Sequence, residues 1–169
     1  FDIADVNKAA ARFDFAKLAD LNGRHMREAD DAALLAEIER LLAALGRPAL
    51  DETARARLAA ALPGLKPRAK TLTELLDQAY YVFAERPLDF DAKAAGLLTP
   101  EARDILGKLT LHLAGVSDWR SAALEQAVRG FAEVEGLKLG KVAQPLRAAL
   151  TGRAVSPGVF DVMETLGET

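Results

Sequence analysis

The chain has no cysteine, which excludes disulfides and thiolate metal sites. Its two histidines, His25 and His112, lie far apart in sequence, so no metal is expected. Aromatic residues are only 6% of the 169, against 50% apolar residues overall. That balance favours many small helical contacts over a thick aromatic core. No apolar run approaches the roughly 20 residues that span a bilayer, and the start of the chain lacks the basic-then-apolar order of a signal peptide. A cytoplasmic setting is the expectation. Alternating β-branched runs are also missing, since the one compact candidate, Tyr80 to Phe83, belongs to a helical stripe. Glycines never take the spacing of a phosphate loop or a dinucleotide fingerprint, and neither histidine has a neighbouring Ser or Cys to activate. A stand-alone enzyme is therefore the weakest function class. Phe1 falls within a helix-forming segment, which reads as a piece of something longer.

What is present is helical period. Leu34, Leu35, Ile38, Leu41, Leu42 and Leu45 form one apolar stripe, with Asp30 as its N-cap and Gly46 as its stop. Leu72, Leu75, Leu76, Ala79, Tyr80 and Phe83 repeat the pattern behind a Thr71-x-x-Glu74 capping box. Thr99-Pro100-Glu101 opens a further helix through Ile105, Leu106, Leu109 and Leu113, ending at Gly115. Ser117-Asp118-Trp119 is expected to begin the longest helix of the second half, with Leu124, Val128 and Phe131 inward, Trp119 as a core anchor and Gly136 as its end. The fold class is all-α. Candidate seams are Leu62 to Pro67 and, as the better break, Ala84 to Asp91.

Net charge is −3, but the charges are segregated. Thr53 to Thr73 holds Arg55, Arg57, Lys66, Arg68 and Lys70 with no acid; Gly136 to Phe160 holds Lys138, Lys141, Arg147 and Arg153, again with no acid. Two windows cleared of carboxylates in an acidic chain suit an anionic partner, because Lys and Arg contacts to phosphate supply most nucleic-acid affinity. Chance clustering on solvated helix faces is the competing explanation. Reading unpaired bases needs arginines fixed on rigid elements and free amides at helix starts. Arg147 follows Pro145, whose fixed φ suits a kink or a fresh helix start, and Arg68 sits in the stiffened Lys66-Pro67-Arg68-Ala69-Lys70 loop. Ser156-Pro157 reads as a helix cap.

The run Lys138-Leu139-Gly140-Lys141-Val142-Ala143-Gln144-Pro145-Leu146-Arg147, continuing through Thr151-Gly152 to Ser156-Pro157-Gly158-Val159-Phe160, closely resembles the anticodon-reading end of bacterial glutamyl-tRNA synthetases. The likeness runs nearly end to end. Val6-Asn7-Lys8 and Arg12-Phe13-Asp14-Phe15, leading to Leu21-Asn22-Gly23, resemble the segment that joins the stem-contact region to the anticodon-binding part. The resemblance implies residues 1–27 as a connecting segment, 28–86 as a first and 87–169 as a second packed helical anticodon-binding subdomain. It places Arg68 beside the third anticodon base and Arg147, Ser156 and Val159 around the others. Lys66, Lys70, Lys138, Lys141 and Arg153 are the candidates for the tRNA backbone.

The family's nucleotide-binding signatures, of His-x-Gly-His and Lys-Met-Ser-Lys type, have no counterpart in this sequence. The resemblance thus implies a parent enzyme, a monomer, that attaches glutamate to tRNA with ATP and Mg²⁺, while this part needs no cofactor and recognises the anticodon. The partner implied is tRNA(Glu), with tRNA(Gln) left open, although Arg68 looks like members that reject glutamine tRNA. The alternative from another class is a helical interaction module whose basic faces meet an acidic protein.

Overall fold

The structure, a computed structural model, describes residues 14–168, so the first part of the connecting segment, including Val6 to Phe13, lies outside the described residues. Nine α-helices are described: α1 (Phe15–Glu28), α2 (Asp31–Ala44), α3 (Glu52–Leu65), α4 (Leu72–Ala79), α5 (Ala92–Leu97), α6 (Pro100–Leu113), α7 (Ser121–Val134), α8 (Leu139–Thr151) and α9 (Val159–Leu166). Short 3-10 turns follow α3 at Lys66–Arg68 and α4 at Tyr80–Val82. There is no strand among the described residues.

Side-chain caps account for most helix starts. Asp30 accepts from the amides of Ala32 and Ala33, and Asp51, Asp91 and Thr99 each accept from the amide three residues on. The Thr71 hydroxyl accepts from Glu74 N–H, while the Glu74 carboxylate reaches back to the amide of Lys70, one residue before the cap. At its other end α2 closes as a Schellman motif, with Arg47 N–H on Leu42 O at 2.9 Å and Gly46 N–H on Ala43 O at 3.0 Å. α7 ends the same way, through Leu137 and Gly136.

Two expected boundaries move. α7 starts at Ser121 rather than Ser117, because the Asp118 carboxylate turns back on its own loop to take the amide and guanidinium of Arg120. That pairing holds the Asp118 carboxyl down at about 2. It leaves α7 with 14 residues, the same length as α6. The Pro63-Gly64 pair does not break the chain either. α3 runs on to Leu65, since proline near a helix end costs one ladder bond while Leu58, Leu62 and Leu65 bury their side chains.

The helices bury two apolar cores. One gathers Leu34, Leu35 and Ile38 of α2, Leu58 and Leu62 of α3, and Leu75 and Ala79 of α4. The other gathers Leu109 and Leu113 of α6, Leu124, Val128 and Phe131 of α7, and Val142 and Leu146 of α8. Trp119 packs on the second core and donates its indole N–H to Met163 O. The segment 84–91 runs between them, fastened by Asp91 N–H to Gly152 O at 2.9 Å and by the Arg86 guanidinium to Leu150 O. α9 belongs to both cores: Val162 and Leu166 face the first, Val159 and Met163 the second. Its start is tied to α7 by Ser121, whose hydroxyl donates to Asp161 and whose amide donates to Glu164.

Candidate nucleic-acid interface

The C-terminal end of α8 meets the turn after α4. Gly152 closes α8 with φ +68°, its N–H on Ala148 O, and the chain then bends through Arg153 to Pro157 before α9. This bend lies against Arg68, Asp77, Gln78 and Tyr80, and between the two sides opens a cleft of about 320 Å³. Arg68, Arg153 and Ser156 all line it, so parts of the two acid-free windows converge across the seam between the halves. Asp77, exposed, stands on the same wall.

Arg147 stands behind that edge. Its Nη1 donates to Ser156 O, Ser156 Oγ and Pro157 O at 3.0, 2.7 and 2.7 Å. The guanidinium is therefore a strut for the Ser156-Pro157 bend, with one nitrogen committed and the Nε and Nη2 edge without a partner among the described residues. Partial burial, and then the charge of Arg68, pushes its pKa below the ordinary arginine value. No carboxylate lies in salt-bridge range of Arg68, Arg147 or Arg153 among the described residues. Like charges held close without a counter-ion are what an anion or an electron-rich base edge would relieve.

Other candidates fall elsewhere. Lys66 is not a free cation: its ammonium donates to Asp31 at 2.6 Å and to Ala29 O at 3.0 Å, with the side chain only 18% exposed. Lys70 pairs with Asp20 of α1 on the surface, each partner favouring the other's charged form. Arg55 likewise pairs with Glu39. The first window is clear of acids along the chain, but α1 and α2 supply them in space, a packing cause that one-dimensional charge counting misses. Lys141 sits about 9 Å along α8 from Arg147 and about 120° around it, and Lys138 lies further still, so neither reaches the cleft. Val159 is 4% exposed and packs in the second core, outside the lining of the cleft. Ser156 does not cap α9; Gly158 precedes that helix with no side-chain cap, and the Ser156 hydroxyl turns to Pro157 O. Pro145 does not start a fresh helix: α8 runs through it, its ring buried.

Lys66→Ala should lower stability by about 1–2 kcal/mol, the worth of a half-buried charged hydrogen bond, and leave RNA affinity within error. Thermal melting beside a binding titration checks both. A large affinity loss at unchanged stability would return Lys66 to the interface.

Tyr80, Gln78 and Val155 in the cleft escaped the sequence reading. Helical spacing puts Tyr80 in an apolar stripe, whereas its ring lies under Arg153, the guanidinium carbon 3.9 Å from the ring centroid. The signal available was that Tyr80 and Tyr81 are the only tyrosines of the chain. Tyr81 is buried, its hydroxyl pushed up in pKa by that burial, and takes the core position.

On this two-core helical body with arginines at one cleft, the family model described as an anticodon binding domain matches residues 26–169, which makes the class an anticodon-binding module. Over 99% of its length the chain is 55% identical to a glutamate--tRNA ligase of Afipia carboxidovorans and 54% identical to one of Rhodopseudomonas palustris. Its fold matches a solved glutamate tRNA ligase of Elizabethkingia meningosepticum with a TM-score of 0.76 at 30% identity, covering 99% of this chain and 32% of that one. The chain belongs to the glutamate--tRNA ligase family and corresponds to its anticodon-binding region. It spans 36% of the length of the curated relatives, and these 169 residues contain no catalytic domain.

Proposed function

We propose that this chain holds the anticodon of tRNA(Glu) for a parent that attaches glutamate to tRNA. The observation that carries the reading is that Arg68 and Arg153 line one cleft, with Arg147 bracing its Ser156-Pro157 edge from behind, and none of the three is bonded to a carboxylate among the described residues. Arg68 meets one anticodon base, and the Ser156-Pro157 edge strutted by Arg147 meets the others. Guanidinium edges and backbone groups read unpaired bases, and the positive field holds the phosphates between them. ATP and Mg²⁺ belong to the remainder of the parent, a cytoplasmic monomer on this reading. Arg68 favours tRNA(Glu) over tRNA(Gln).

Titrating salt against tRNA(Glu) and against an unrelated RNA hairpin tests this. The expected result is tighter binding of the tRNA, with log K falling about 0.7 per decade of salt for each single-strand phosphate contact. Equal, weak binding to both would favour the module that docks an acidic protein.

Lys141→Ala provides the contrast within α8. Lying off the cleft face, it should weaken every RNA by a similar factor of about two, with no change in sequence preference. Competition between the two RNAs measures that preference, and a selective loss would place Lys141 at a base.

A further inference from the structure

We infer that Tyr80 is a positioning residue for RNA binding: its ring is the platform that fixes the Arg153 guanidinium at the mouth of the cleft. This rests on the anticodon-binding reading and adds a residue to it.

The two partners come from opposite sides of the seam. Tyr80 lies in the 3-10 turn after α4 and packs on the first core, while Arg153 follows α8, which builds the second. Arg153 is exposed on a bend and has no carboxylate in salt-bridge range among the described residues. A free arginine there would spread over many rotamers and lose that freedom on binding. Stacking on the ring removes most of it beforehand, and because guanidinium donors point outward in its plane, the stack leaves them available.

At the other end of the ring the Tyr80 hydroxyl is buried against the Gly152 turn, without a hydrogen bond of ordinary geometry but beside the Thr151 and Arg153 side chains. The face of the ring is what the arginine uses. Tyr80 also separates this cleft from a larger groove lined by Leu50, Arg57 and Phe83, so the stacked arginine stands on the ridge between two openings.

The test is a double-mutant cycle on binding of an RNA hairpin carrying the glutamate anticodon loop, with a scrambled-loop hairpin as reference. Tyr80→Phe should bind within twofold of wild type. Tyr80→Leu and Arg153→Gln should each weaken the anticodon hairpin by about tenfold. The double variant should be no weaker than Arg153→Gln alone. In the free protein, the Arg153 δ-methylene and ε protons should be shifted upfield by the ring current, retained in Tyr80→Phe and lost in Tyr80→Leu. Wild-type affinity in Tyr80→Leu, or losses that multiply in the double variant, would overturn the inference. Failure of the wild type to distinguish the hairpins would instead defeat the anticodon reading. Should Tyr80→Leu not fold by circular dichroism, the wild-type ring-current shift of the Arg153 side chain together with the loss in Arg153→Gln carries the test. An unshifted Arg153 side chain, or wild-type affinity in Arg153→Gln, overturns the platform.

Discussion

Alanine at position 152 is expected to destabilise the protein by about 2–4 kcal/mol, the sum of a left-handed backbone strain and a steric overlap. Gly152 has φ +68°, and an added Cβ would overlap the carbonyl oxygen of Asp89 and press on the Tyr80 hydroxyl at 3.3 Å. The obstacle is backbone, so no rotamer change relieves it. Moving the 89–91 segment would release Asp91, whose amide donates to Gly152 O and whose carboxylate caps α5. Urea denaturation measures the loss, and Gly64→Ala is the control, because open space surrounds Gly64. A Gly152→Ala variant as stable as wild type would mean that α8 and the 84–91 segment do not meet as described. Arg153, the next residue, would shift with the turn, so RNA binding should fall in step.

The second large effect is on binding. Arg147→Ala should cost about a hundredfold in affinity for the anticodon hairpin, close to 3 kcal/mol, since it removes a charge and the strut of the Ser156-Pro157 edge together. The helical cores should survive, because Arg147 is only partly buried and belongs to neither core, whereas Val142 and Leu146 of α8 supply the second core. Arg147→Lys separates the two contributions. A lysine restores the charge but not the planar fork that spans Ser156 and Pro157, so it should recover salt-dependent affinity without base preference. Full rescue by lysine would reduce Arg147 to a point charge. An equal loss on every RNA, as expected of Lys141→Ala, would remove its part in sequence reading.

How far the sequence spoke depended on the range of the interaction. Helix starts at Asp30, Thr71 and Thr99 were legible because a cap bonds amides two or three residues away. Ser117 misled because its neighbour Asp118 had a nearer claimant in Arg120. Pro63 misled because proline's local penalty was outweighed by the leucines that α3 buries. At the site, charge segregation and residue type point to Arg68, Arg147 and Arg153 and the family resemblance adds Ser156, and the fold brings them to one cleft or its supporting edge. Lys66 and Lys70 were named equally well, yet Asp31 and Asp20 claim them from 35 and 50 residues away, a distance no window of charge could bridge. Tyr80 shows the reverse error. A residue at helical spacing was assigned inward, although the ring serves both the core and the guanidinium above it.

α9 is shared by the two helical bodies. Its eight residues place Val162 and Leu166 in one interior and Val159 and Met163 in the other, so loosening either body withdraws apolar cover from its neighbour. The pair should lose order together, and the spacing across the seam is then as rigid as a core. A ruler of fixed span suits a ligand whose reading heads are themselves a set number of nucleotides apart.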